Sequence, residues 1–161
     1  MAESLAFSKT SDRKTVYDEV VPQIEALIAG ETDIVANLAN IAAVLKEAFG
    51  FFWVGFYLKK QNQLVLGPFQ GPLACTRINF DEGVCGQAFT AKETVSVPDV
   101  DEFPGHIACS SAARSEIVLP IFDQGGDVFA VLDIDSDKLD DFSAIDAEGL
   151  SRIAELVAGK L

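Results

Sequence analysis

The sequence predicts an α+β domain: a central antiparallel β-sheet with helices on one face and loops carrying function on the other. Amphipathic helical stripes stand first and last in the chain, and the strand-like segments between them are joined mainly by hairpin turns. The length of 161 residues suits a single domain over 1–161, since a chain of roughly 150 residues buries about 70% of its unfolded surface.

In the first helix Val16, Val20, Ile24, Leu27 and Ile28 form one stripe, with Ser11 and Asp12 as candidate caps, Pro22 as an expected kink and Gly30 as the stop. In the second, Thr32 caps a stripe of Ile34, Leu38, Ile41, Leu45 and Phe49 that ends at Gly50. Phe51–Lys59 reads as a strand buried on both faces, because apolar residues run without alternation and aromatics are dense. Gln61 and Asn62 turn it into a partner strand, Gln63–Leu66.

From Gly67 the texture changes. GPFQGP, all three cysteines, Pro98, Pro104 and the only histidine, His106, mark a loop-rich region of the kind where function concentrates. Only short elements fit there: a strand near Arg77–Phe80, a helix Val84–Ala91 and a strand Val95–Val97. Glu116–Phe122 and Asp127–Asp135 form a hairpin around Gly125-Gly126. A last helix, Ala144–Ala158, carries Ile145, Leu150, Ile153 and Val157 on one side.

Composition narrows the function. Twenty-five acidic against 12 basic side chains give a net charge of −13 and a pI near 4.3. Such an excess repels phosphate backbones and anionic lipid, so no nucleic acid and no membrane surface is expected as a partner. A hydrophobic content of 49% and a mean hydropathy of +0.25 argue against disorder. Met1 to Lys14 holds no apolar stretch of the kind an export signal carries, and the run Phe51–Leu58 is too short to span a bilayer. A cytoplasmic protein is expected, and in that setting three cysteines, Cys75, Cys85 and Cys109, do not make a fixed disulfide framework.

Register arithmetic gathers three acids. With Gly125 and Gly126 as the central turn residues, hairpin partners sum to 251, so Glu116 faces Asp135 and Asp133 is their neighbour on the same face. Directly opposed like charges destabilise a sheet unless a cation neutralises them or one acid stays protonated. The cluster therefore points to a site for a cationic group, an ammonium or a metal. The plainer alternative is a solvated strand end, with Arg114 pairing Glu116. A register slip of one residue would break the cluster.

The cysteines admit three readings. Cys75, Cys85, His106 and Cys109 match tetrahedral zinc in composition but lack a Cys-x-x-Cys pair. Burial as inert small hydrophobes suits Cys85, between Gly83 and Gly86, better than Cys109 in its loop of small polar residues. The third is a thiol catalyst with a second thiol to resolve it. Nearby carboxylates raise a thiol pKa, so this thiol is activated only when a cationic or protonated substrate fills the pocket. A sulfoxide fits, because its oxygen needs a proton as its sulfur accepts the thiolate.

The runs GPFQGPLAC at 67–75, GVCG at 83–86, VPDV at 97–100, FPGHIAC at 103–109 and SEIVLP at 115–120, with cysteine spacings of 10 and 24 residues, closely resemble the free methionine-(R)-sulfoxide reductases. The resemblance covers nearly the whole chain and implies the GAF fold. It implies reduction of free methionine-(R)-sulfoxide, thioredoxin as the usual reductant, and no cofactor or metal. By position it makes Cys109 the nucleophile, Cys75 the main resolving cysteine and Cys85 an auxiliary one. Glu116, Asp133 and Asp135 become the acidic residues of the pocket, and Trp53 and Tyr57 its aromatic wall. The latter two are four apart on a strand, hence on one face. His106 then structures the loop rather than acting as a base. The chain departs from the family at Ser110, where many relatives carry Asp, and at Ala113, which replaces a polar residue. A homodimer is compatible with the fold, although no sequence patch argues for one. The rival reading is a GAF module that binds a small ligand and regulates a partner without catalysis, with a structural zinc protein behind it.

Overall fold

Alternation along strand β1 (Trp53–Lys60) sorts the molecule into two cores. Val54 and Phe56 point to one side of the sheet, Trp53 and Tyr57 to the other. The computed structural model describes residues 4–161, so the first three residues of the expected domain lie outside it. Two helices, α1 (Arg13–Ala29) and α2 (Ile34–Phe49), precede β1. After it come β2 (Gln63–Gln70), β3 (Arg77–Asn79), α3 (Gly83–Ala91), β4 (Val95–Val97), a short 3-10 turn at Val100–Glu102, β5 (Ser115–Phe122), β6 (Val128–Ser136) and α4 (Ala144–Ala158). The strands form one sheet in the order β3-β2-β1-β6-β5-β4, antiparallel at every pairing. The α+β architecture is as the sequence predicts. None of the described helices is long and apolar enough to cross a membrane.

Helices α1, α2 and α4 cover the face bearing Val54, Phe56, Ile117, Leu119, Leu132 and Ile134, which together form the larger core. The opposite face differs from expectation in one respect. It carries loops, but α3 also lies there, packing Val84, Cys85 and Ala88 against Val118 and Val131. A sheet end that must bury acids needs a roof, and loops alone leave too much backbone unpaired to supply one.

Several local expectations need adjustment. The cap of α2 is Asp33, not Thr32: its Oδ1 accepts from the Ala36 amide at 3.0 Å. Gly50 ends the helix as expected, in the left-handed conformation at φ 66° that glycine adopts without a Cβ penalty. Helix α1 continues through Pro22 for two further turns. Strand β2 runs on to Gln70, four residues past the expected end. Pro68 is tolerated because β3 pairs only with Gln63, Leu64 and Val65 and one further bond, from the Leu66 amide to the Thr76 carbonyl, follows, so β2 is a free edge on that side at Pro68. Ile145 is exposed, while Leu150, Ile153 and Val157 face the core.

The β5–β6 connection is a different turn with the expected outcome. The amide of Asp123 bonds to the Asp127 carbonyl, enclosing three loop residues rather than two. A bulge then places Phe122 opposite Val128 but Ile121 opposite Ala130. The extra residue at Phe129 restores the sum of 251, so Glu116 faces Asp135.

Helices α1 and α4 approach most closely at Gly149, where an added Cβ would lie 2.4 Å from Cγ of the buried Tyr17. The Tyr17 hydroxyl donates to Asp146 Oδ1 at 2.8 Å, and Asp146 in turn pairs with Arg13 at 3.0 Å, so the ring has no free direction in which to move. Overpacking of this kind costs about 1–3 kcal/mol. Gly149→Ala is expected to lower the thermal midpoint by about 2–10 °C in a calorimetric scan; an unchanged midpoint would show that the contact yields freely.

Candidate active site

The register of three central strands builds the site. Glu116 pairs with Asp135 across β5 and β6, Val118 with Asp133, Trp53 with Asp135 and Gly55 with Asp133. Side chains at alternate positions share a face, so Glu116, Asp133, Asp135, Trp53 and Tyr57 stand together beneath α3 and the loops. Gly55 leaves the space beside Asp133 open to the indole: a Cβ there would lie 2.7 Å from the Trp53 ring and 2.4 Å from Phe69 Cβ. The cavity these residues line also meets Cys85, His106 and Cys109, and measures about 40 Å³. That is room for a few water molecules.

Glu116 and Asp133 are buried and Asp135 is half-buried beside them. Glu116 is pushed up to about 8, chiefly by burial and secondarily by the charge of Asp135. Burial drives Asp133 and Asp135 well above the carboxylate range too, with Glu116 acting on Asp133 and Asp133 on Asp135. Glu116 and Asp133 lie within hydrogen-bonding reach of each other, the geometry of two carboxyls sharing a proton. Asp133 Oδ1 is buried with no hydrogen-bond partner. The nearest basic group is His106, not Arg114: its Nε2 stands 3.3 Å from Glu116 Oε1. Burial lowers the His106 pKa, which favours neutral imidazole. The arrangement therefore presents proton donors in a pocket shielded from bulk water and suits a cation able to displace those protons.

Above the acids, Cys75 and Cys109 form a disulfide with Cα atoms 5.4 Å apart. Cys85 is free and buried, as the sequence suggested. The four-ligand zinc set of Cys75, Cys85, His106 and Cys109 is thus not available in this state, since two of its thiols are bonded to each other. The aromatic wall carries a task the sequence did not reveal. Trp53 Nε1 donates to the Pro72 carbonyl at 3.1 Å, and the Tyr57 hydroxyl donates to the Cys75 carbonyl at 2.9 Å. Both aromatics tether the segment that presents Cys75. Leu73, at 89% exposure, and Ile107 sit at the cavity mouth and were also missed. Leu73 adjoins Cys75 in the GPLAC run, the one signal by which its place was readable.

A buried carboxyl whose folded pKa exceeds its unfolded value binds a proton more tightly in the native state. Its contribution is complete below the unfolded pKa and is lost as pH rises through the folded one. For Glu116 that window runs from the ordinary carboxyl value of 4.5 to about 8. Glu116→Gln cannot titrate, so its stability relative to wild type is expected to climb with pH across this window, by at most about 1.4 kcal/mol per unit, and then level off. Urea melts at intervals from pH 5 to 9 measure this; a pH-independent difference would mean that Glu116 is ionised throughout.

Residues 29–159 match the GAF domain family model. GAF domain-containing protein A of Dictyostelium discoideum is 56% identical over 158 residues, covering 98% of this chain and 99% of that one. Free methionine-R-sulfoxide reductase of Saccharomyces cerevisiae is 37% identical, covering 97% of this chain and 91% of its own. Among solved structures, free methionine-R-sulfoxide reductase from Neisseria meningitidis, in complex with its substrate, superposes with a TM-score of 0.95 at 56% identity, covering 99% of this chain and 95% of that one. With the fold, the length and the site region all included in these matches, the chain belongs to the free methionine-R-sulfoxide reductases of the GAF-domain family.

Proposed function

We propose that this chain reduces free L-methionine-(R)-S-oxide to methionine, with Cys109 as nucleophile, Cys75 as resolving cysteine and thioredoxin as the reductant that restores both, in the cytoplasm. The observation that carries the reading is the Cys75–Cys109 disulfide poised over a cluster of three acids. Trp53 and Tyr57 hold the S-methyl group against their stacked rings, whose centroids are 5.9 Å apart. The acidic cluster receives the substrate's α-ammonium, and one protonated member of it hydrogen-bonds the sulfoxide oxygen. A peptide-bound methionine sulfoxide lacks the ammonium, so the site selects the free amino acid.

The thiolate of Cys109 attacks the sulfoxide sulfur while the acid gives its proton to the oxygen. The hydroxyl passes to the Cys109 sulfur, which is oxidised to sulfenic acid, and the sulfoxide leaves as the thioether methionine. The Cys75 thiol then displaces that hydroxyl as water, forming the disulfide. An external dithiol reduces it by exchange and is itself oxidised to a disulfide. Cys85, free and buried, is not needed for these steps and is kept as an auxiliary thiol.

The test is turnover of racemic free methionine sulfoxide with dithiothreitol. Wild type is expected to stop at half conversion, leaving the (S) form, and to leave a peptide-bound sulfoxide untouched. Cys109→Ser is expected to abolish methionine release. Cys75→Ser is expected to release about one methionine per enzyme and then stall with a thioredoxin system, the signature of a sulfenic acid with no resolver. Activity retained in Cys109→Ser would remove the nucleophile assignment, and normal recycling in Cys75→Ser would transfer the resolving role to Cys85.

A further inference from the structure

The steps above leave Cys85 idle and Asp133 Oδ1 unpartnered, and the two face the same small cavity. Cys85 Sγ, one oxygen of Glu116 and one of Asp133 all lie within 4.8 Å of one another, and all three residues are buried. His106 Nε2 is 3.3 Å from Glu116 Oε1, which brings an imidazole to the edge of the same cluster. Tetrahedral zinc, with bonds of about 2.3 Å to sulfur and about 2.0–2.2 Å to nitrogen and oxygen, holds its ligand atoms about 3.4–3.6 Å apart. The three atoms, within 4.8 Å of one another, draw closer together to meet that spacing.

We propose that Cys85, Glu116 and Asp133 form a binding site for a thiophilic divalent cation of the zinc type, with His106 beside Glu116 at its edge, and that its occupancy inhibits the reductase. The unpartnered oxygen is the second sign of a ligand site: Asp133 is only 5% exposed, and its Oδ1 faces the cavity with no hydrogen-bond partner from the protein. The mixed donor set favours zinc or cadmium over magnesium or calcium, which take oxygen ligands. Ligation exchanges the protons held by the thiol and the carboxyls for one metal ion. A bound cation neutralises the crowded acids as the substrate's ammonium is read to do, so the two exclude each other.

This site differs from one built on Cys75 and Cys109. Those thiols are absent from the disulfide form, whereas Cys85 stays free in it, so the oxidised protein keeps the whole donor set. The binding half of the proposal stands on geometry alone; the inhibitory half rests on the reading of this pocket as the sulfoxide site.

Calorimetric titration of the oxidised, metal-free protein with zinc chloride tests binding without interference from the other two cysteines. One zinc per chain is expected, with at least about tenfold weaker binding in Cys85→Ala and in Asp133→Asn, each checked for native circular dichroism. Should both variants misfold, cadmium added to the oxidised wild type decides the matter, because a thiolate-to-cadmium charge-transfer band arises only from Cys85. Absence of that band, or undiminished zinc binding by folded Cys85→Ala, would overturn the proposal. In turnover assays zinc is expected to compete with free methionine sulfoxide and to be reversed by a chelator. Tight binding without inhibition would overturn the inhibitory half only, and a protein that binds zinc but reduces no sulfoxide would fault the reductase reading and leave the metal site intact.

Discussion

Three carboxyls crowded on one face of an antiparallel sheet, two of them buried and the third half-buried, with no strong base among them, set the terms for the rest of this structure. Glu116, Asp133 and Asp135 cannot all be ionised at such separations in a low-dielectric site. The fold accepts protonated acids at neutral pH, and the chemistry it supports follows from that. A proton donor held out of water is what a sulfoxide oxygen requires as it leaves, and a site short of positive charge is what a free amino acid's ammonium seeks. Burial, and after it the charges of Asp133 and Glu116, likewise push the free Cys85 thiol up.

Holding such a cluster requires a firm frame, and the opposite face of the sheet supplies it. Arg13 pairs with Asp141 at 3.1 Å and with Asp146 at 3.0 Å, lies over the rings of Phe51 and Phe142, and so ties α1 to the start of α4. Asp141 also accepts from the Ser136 hydroxyl, and Ser115, the partner of Ser136, donates to the Lys138 carbonyl. These bonds clamp the strand ends one residue beyond Glu116 and Asp135. The contrast between the two sides is informative: where charge is paired the fold is braced, and where like charges are crowded the fold keeps a site. Buried pairs seldom add net stability, because desolvation offsets attraction. Their value here lies in fixing the register on which the acid cluster depends.

Much of this was legible before any coordinates. Uninterrupted apolar residues marked β1, helical stripes marked α1, α2 and α4, and hairpin arithmetic placed Glu116 opposite Asp135. That arithmetic reached the right register through the wrong turn, because the three-residue loop and the bulge at Phe129 offset each other; a bulge has no signature in residue type that simple alternation detects. The contact of His106 with Glu116, the hydrogen bonds from Trp53 and Tyr57 to the Cys75 segment, and the place of α3 over the acids were not legible. Each joins parts of the chain ten or more residues apart, and only tertiary packing decides them. The pairing of Cys75 with Cys109 came from the likeness of the motifs; spacing alone left three readings of the cysteines open.

The central claim is that one carboxyl of the cluster stays protonated at neutral pH. Infrared spectroscopy of the protein in deuterated buffer measures this directly, because the carbonyl stretch of a protonated acid is separate from carboxylate bands. In the cluster, burial and mutual charge push Glu116, Asp133 and Asp135 up out of the usual carboxylate range. The account predicts a protonated-carboxyl band at pH 7 that fades above about pH 8 and is diminished in Glu116→Gln. A wild-type spectrum with no such band at pH 6 to 7 would contradict it, since the pocket would then hold only carboxylates and no donor for the sulfoxide oxygen.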